Sequence, residues 1–228
     1  MTREIVLDTE TTGLDPLTGD RVVEIGCLEL VNHMPTGQTY HVYLNPQRDM
    51  PTAAFNVHGL SEEFLSDKPL FAEVADDFAA FVGTDVLIAH NAPFDIGFLN
   101  AELERAGQPI IPMNRVKDTL AMARKKFPGA QNNLDALCRR FEIDTSARTL
   151  HGALLDAGLL ADVYLELVGG RQPGLTLAVE SSKQITQAAK SVARPPRHFE
   201  PSAEEQAAHD AFIREQVKQA LWLADAET

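Results

Sequence analysis

Asp8 and Glu10 close an apolar, β-branched-rich run, Ile5-Val6-Leu7-Asp8-Thr9-Glu10. In a strand, side chains alternate between faces, so Val6, Asp8 and Glu10 share one face and Ile5, Leu7 and Thr9 the other. Two carboxylates on one face of a buried strand repel each other and lose hydration, so each must neutralise or find a cation. A divalent ion with oxygen ligands satisfies both at once. On an exposed edge strand the same acids would simply be solvated.

Three more residues extend the pattern. After Pro93, which suits the first turn of a helix, Asp95 shares a face with Phe98 and Leu99. An acid there also complements the helix dipole. Asp156 is in line with Leu159, Leu160, Val163 and Leu167 and heads the buried stripe of an apolar helix. His151 is five residues earlier, about 140° away on an ideal helix. It faces the same site as Asp156 only from the loop before the helix, a break that Gly152 permits. Oxygen-rich donors favour Mg²⁺ or Mn²⁺ over Zn²⁺. Two such ions about 3.5–4 Å apart activate water and neutralise a phosphate. A mobile neutral histidine is suited to take the proton from that water.

The elements that must position these groups can be read in outline. A strand near the N-terminus is followed by turn-rich Leu14–Asp20, a second strand over Arg21–Val31 and a third over Gln38–Leu44, with a loop over Asn32–Gly37. Short connections make these an antiparallel meander. Glu24 is either a second acid behind the site or a cross-strand or surface residue. Pro46–Ser61 reads as irregular and contains His58, taken alone a structural loop histidine. Phe71–Val82 has helical spacing, Asp85–Ala89 reads as a buried strand, and Val116–Lys126 begins strand-like and becomes helical. Asn132–Phe141 is a short helix, and the Asp156 helix runs to about Val168.

Composition narrows the function. With 228 residues there is room for one good-sized domain and an appendage. No run of about 18 apolar residues is present, and the N-terminus lacks the layout of a signal peptide. Cys27 and Cys138 make no metal or redox spacing, so a reducing cytoplasm is expected. A net charge of −13 argues against a broad basic surface gripping nucleic acid.

The segments Asp8-Thr9-Glu10-Thr11-Thr12-Gly13, His90-Asn91-Ala92-Pro93-Phe94-Asp95 and His151-Gly152-Ala153-Leu154-Leu155-Asp156 resemble the three motifs of the DEDD exonuclease superfamily, with the histidine marking its DEDDh branch. Lys68–Asp76, Asp118–Arg124, Asn133–Cys138 and Arg148–His151 extend the likeness to the epsilon-type proofreading exonucleases of bacterial DNA polymerase III, over about residues 3 to 170. The resemblance implies an α/β, ribonuclease-H-like mixed five-stranded sheet flanked by helices, and a 3′→5′ DNA exonuclease acting through two divalent metals, Mg²⁺ or Mn²⁺. It implies metal binding by Asp8, Glu10, Asp95 and Asp156, with His151 as general base. Substrate contacts would come from Asp8, Glu10, Thr11, Leu14, His58 and Asp156, Leu14 wedging against the terminal base. Where some relatives carry a substrate-contacting Glu five residues before the histidine, this chain has Ala53.

Gly169-Gly170 ends the expected catalytic domain, residues 1–170. Residues 171–201 read as a flexible linker and 202–228 as a helical tail opened by a capping box of Ser202 and Glu205. Gln172, Leu175 and Leu177 resemble the motif by which polymerase partners dock on the β sliding clamp. By the same resemblance the tail would bind the polymerase α subunit, and a small θ-type subunit is a further candidate partner.

Overall fold

The computed structural model describes residues 2–146, 148, 150–170 and 200–216. A five-stranded mixed sheet has the order β3-β2-β1-β4-β5. Its strands are β1 (Arg3–Thr11), β2 (Val22–Val31), β3 (Met34–Tyr43), β4 (Val86–Ala89) and β5 (Val116–Asp118). β1 pairs antiparallel with β2 and parallel with β4; β2–β3 is antiparallel and β4–β5 parallel. The central strand is therefore β1, and Ile5, Val6 and Leu7 are fully buried. That excludes the exposed-edge reading of its acids.

Alternation along β1 assigns its two faces to two helical layers. Ile5 and Leu7 pack with Phe71, Ala75 and Phe78 of α3 (Phe71–Val82) and Ile96 and Leu99 of α4 (Ala92–Arg105). Val6 packs on the other side with Ala157, Leu160 and Tyr164 of α7 (Ala153–Val168). α5 (Thr119–Lys126) and α6 (Leu134–Arg140) extend the α7 layer through Ala123, Leu137 and Cys138.

A buried polar network ties this layer to the sheet. Glu4 Oε1 accepts from Lys117 Nζ at 2.7 Å and from the Tyr164 hydroxyl at 2.9 Å. Its other oxygen accepts from His33 Nδ1 at 2.7 Å. Burial alone would raise the Glu4 pKa, but these donors hold it below the ordinary carboxylate range.

Two expectations need correction. The Asn32–Gly37 loop is a two-residue turn: Asn32 and His33 take φ of 51° and 66°, and β3 starts at Met34. Left-handed backbone at both turn positions matches the strand twist and closes a tight hairpin. Pro46–Ser61 is not irregular throughout, because α1 (Thr52–His58) lies in it and α2 (Glu62–Leu65) follows. α1 starts after Pro51 and stops at Gly59, φ 74°, whose amide donates to the Phe55 carbonyl.

The chain divides into two compact units, Met1–Leu175 and Thr176–Thr228. Within the second, α8 (Ala203–Gln216) opens with the expected capping box, in which Glu205 Oε2 accepts from the Ser202 amide and the Glu205 amide donates to Ser202 Oγ. Gln172, Leu175, Leu177 and residues 217–228 lie outside the described residues.

Candidate active site

The carboxyl end of β1 supplies the first acids. Glu10 is buried and stands opposite Glu24 of β2, just before the register shifts between Glu10 and Thr11. Burial pushes the Glu10 carboxyl up to about 8, with Glu24, Asp156 and Asp95 adding to it. Glu24 is itself buried, and its Oε1 is 2.7 Å from His41 Nε2 on β3, so its place is cross-strand rather than on the surface. Part of Asp8 reaches solvent, yet protein packs densely around its carboxyl. Burial raises its pKa well above the ordinary value, reinforced by Asp95, Glu10 and Asp156. Every one of these shifts reports negative charge held where water is scarce and repulsion strong.

Asp95 arrives from the α4 layer. It is buried in that helix's first turn, and its Oδ1 accepts from the Thr9 amide at 3.1 Å and from Thr9 Oγ1 at 2.8 Å. Burial lifts its pKa to about 7, moderated by those hydrogen bonds. Thr9 stands between Asp8 and Glu10, so the bonds stitch α4 to the strand at the site.

Asp156 arrives from the opposite layer, in the first turn of α7 and 2% exposed. Its approach depends on Gly26, the β2 residue opposite Asp8. A Cβ on Gly26 would stand 2.2 Å from the Leu154 amide nitrogen and 2.3 Å from the Ala153 carbonyl carbon. The start of α7 thus rests directly on the β2 backbone.

His151 precedes α7 in the loop, as expected, with extended Gly152 (φ −154°) between them. Its ring is exposed and its amide donates to the Val57 carbonyl at 3.2 Å, linking the loop to α1. Donor atoms of Glu10, His151 and Asp156 all lie within 4.8 Å of one another. Asp8 and Asp95 are not members of this closest set; they flank it and enter through the shared field. Two carboxylates and an imidazole, with further carboxylates beside them, form a donor set that fits hard divalent cations.

His58 is the last residue of α1 and is buried. Its Nδ1 accepts from the Leu60 amide at 3.0 Å, so its Nε2 carries the proton. That Nε2 is buried without a partner among the described residues. Burial lowers the His58 pKa, partly offset by the Thr11 backbone beside the ring, and the neighbouring His151 opposes a second positive charge there. A neutral ring whose Nε2–H makes no full hydrogen bond among the described residues, close to the Thr11 backbone, is fit to meet a ligand oxygen. Thr11 is buried, with its Oγ1 donating to the Gly13 carbonyl at 2.6 Å, whereas Leu14 is 84% exposed just beyond. Ala53 is exposed on α1 and carries no polar group.

The exonuclease family matches residues 5–164, from within β1 through β5 and into α7. The chain belongs to the exonuclease family. It is 46% identical to DNA polymerase III subunit epsilon of Escherichia coli (strain K12) over 98% of both chains. It is 50% identical to the same-named protein of Rickettsia felis over 96% of this chain and 98% of the relative. The nuclease domain of 3′hExo, a DEDDh family member solved with bound rAMP, superposes on 73% of this chain with a TM-score of 0.63 at 17% identity. Exonuclease X, solved in complex with a 5′-overhanging DNA duplex, covers 72% of it with a TM-score of 0.57 at 23% identity. The last two likenesses establish the fold alone.

One member of this exonuclease's site does not emerge from sequence periodicity. Arg148 Nε and Nη2 hold Asp156 Oδ1 and Oδ2 at 2.6 and 2.7 Å, and Nη2 also donates to His151 Nδ1 at 2.8 Å. The guanidinium also pairs with Asp135 of α6. A carboxylate buried as deeply as Asp156 needs a partner. Eight residues away in a loop, however, chain spacing gives no direction.

Proposed function

We propose that this exonuclease removes mispaired nucleotides from DNA 3′ ends during replication, releasing nucleoside 5′-monophosphates, as the proofreading subunit of a DNA polymerase III. The convergence of Glu10, Asp156 and His151 beside Asp8 and Asp95 carries the reading. Near-complete coverage of the epsilon relatives supports the polymerase setting.

Asp8, Glu10, Asp95 and Asp156 would hold two divalent cations, Mg²⁺ or Mn²⁺. When bound, these ions lower the pKa of water and neutralise charge on the phosphate. His151, exposed on its loop, takes the proton from the attacking water. The unpartnered Nε2–H of His58 meets an oxygen of the terminal nucleotide. Thr11 and exposed Leu14 form the wall against which its base and sugar rest. Where Ala53 stands, no side chain replaces the glutamate contact of some relatives, leaving more of this task to His58. Selection of errors needs no base code, because a mismatched end frays at lower cost.

Residues 171–201 would tether the catalytic domain, with Gln172, Leu175 and Leu177 on the β sliding clamp and residues 202–228 on the polymerase α subunit. A small θ-type subunit is a further candidate partner. Such tethering supplies effective concentration in place of a basic surface, and the setting is cytoplasmic. The test is digestion of a 3′-mismatched primer in Mg²⁺, with and without chelator. Loss of 5′-monophosphate release on chelation and in Asp8→Ala is expected. Release that survives either change, or faster turnover of an RNA oligomer than of DNA, would overturn the reading.

A further inference from the structure

The contacts of Arg148 place a positive charge where the carboxylates are densest. Its side chain is 10% exposed and that of Asp156 3%. Both Asp156 oxygens are engaged by one guanidinium in a fork, at 2.6 and 2.7 Å. An arginine N–H can only donate, so His151 Nδ1, 2.8 Å from Nη2, accepts and carries no proton. Asp156 Oδ2 lies 3.2 Å from that same Nδ1, both atoms accepting from the one cation. Arg148 also lowers the pKa of Asp8 and Glu10 against the larger upward push of burial.

We propose that Arg148 is a positioning residue that serves as the built-in counter-cation of this site, holding Asp156 and His151 in register and ceding Asp156 to an arriving divalent ion. The inference rests on the reading of Asp156 as a metal ligand. A cation coordinated by carboxylate oxygens sits about 2.0–2.6 Å from them, and the forked guanidinium occupies the oxygens on which it would sit. The two positive charges also repel across a poorly solvated gap. Asp135, whose side chain is 53% exposed, pairs with the outer nitrogen Nη1. The guanidinium therefore has a partner to keep when it lets Asp156 go. Leaving also uncovers the lone pair on His151 Nδ1. Filling of the acids and freeing of a proton acceptor become one event.

Calorimetric titration of the metal-free full-length protein with Mn²⁺ alone, without DNA, tests this. Arg148→Gln keeps a polar side chain but removes the charge and the fork, and is expected to bind Mn²⁺ about tenfold more tightly than wild type, the scale of one charge-assisted hydrogen bond released. Arg148→Lys keeps the charge without the fork and is expected to fall between the two. Metal-free Arg148→Gln should melt below wild type, with Mn²⁺ closing the gap. An unchanged or weaker affinity in Arg148→Gln, in a wild type that does bind, overturns the role of Arg148 alone. If that variant does not fold without metal, an Arg148→Lys affinity no tighter than wild type overturns it instead. A wild type that takes up no Mn²⁺ sinks the metal reading of Asp156, and this inference with it.

Discussion

Protons stand in for metal at the residue scale. Glu10 and Asp95 keep theirs up to about 8 and about 7 in the fold, against ordinary values of 4.5 and 3.8. Across that window the metal-free folded state binds more protons than the unfolded chain. The stability that these two protons contribute is therefore full below 3.8 and is lost as pH rises through about 7 and about 8. Thermal melts of the chelated protein should fall in midpoint between about pH 5 and about pH 9, and Glu10→Gln should flatten the slope. Saturating Mn²⁺ should reverse the trend, because ligands must shed protons to bind. A midpoint indifferent to both pH and Mn²⁺ would contradict this electrostatic picture. Asp8, Glu10, Asp95 and Asp156 were all legible in the sequence, because an acid on an apolar face violates a strict periodicity. His58 was legible only through family likeness; its unspent Nε2–H is a property of packing. Arg148 was not legible as a partner, since a loop fixes no direction for a side chain.

Among the elements, α7 is the most exacting. Its first turn lies on the backbone of β2 at Gly26, where the contacts are main-chain atoms that cannot swing aside. Gly26→Ala should push Asp156 away from Glu10 at a stability cost of about 2 kcal/mol, with exonuclease activity falling more than tenfold, of the order seen for small misplacements. Steady-state rates compared with melting curves check it; a variant with wild-type activity would mean that the helix tolerates displacement. β1 and β2 were readable as continuous apolar runs, and α3 and α7 by the helical spacing of their buried residues. α1 was not: seven residues, mostly exposed, offer no stripe, and its definition comes from Pro51 before it and Gly59 after it. The β2–β3 turn was missed because Asn32 and His33 take left-handed backbone that is more often glycine's.

At the scale of the whole molecule, one ionic network holds the sheet to a helical layer. Lys117→Met would remove the charge partner of buried Glu4 while Tyr164 still donates to it, and is expected to cost about 1–2 kcal/mol. Its urea midpoint, compared with that of the Glu4→Gln/Lys117→Met pair, would show how much of the loss is stranded charge. The net charge of −13 remains consistent with a nuclease delivered by partners rather than by a basic groove. Removing residues 171–228 should leave the rate on short oligomers unchanged while abolishing co-elution with the polymerase. A large loss of rate would mean that the tail serves the catalytic domain directly. The mixed five-stranded sheet was implied by family likeness, while local pattern alone reached only as far as its antiparallel meander. The parallel β1–β4 and β4–β5 pairings join segments far apart in the chain, and short-range periodicity says nothing of them.

Asp95 comes to β1 from one helical layer and Asp156 from the other. A proposed centre assembled across a sheet in this way needs both layers in place before it can act. A growing chain that has emerged only as far as α6 already carries Asp8, Glu10 and Asp95, yet lacks both His151 and Asp156. Nor can a collapsed intermediate with one layer docked complete the set. The proposed site is therefore complete only once α7 has seated on the sheet.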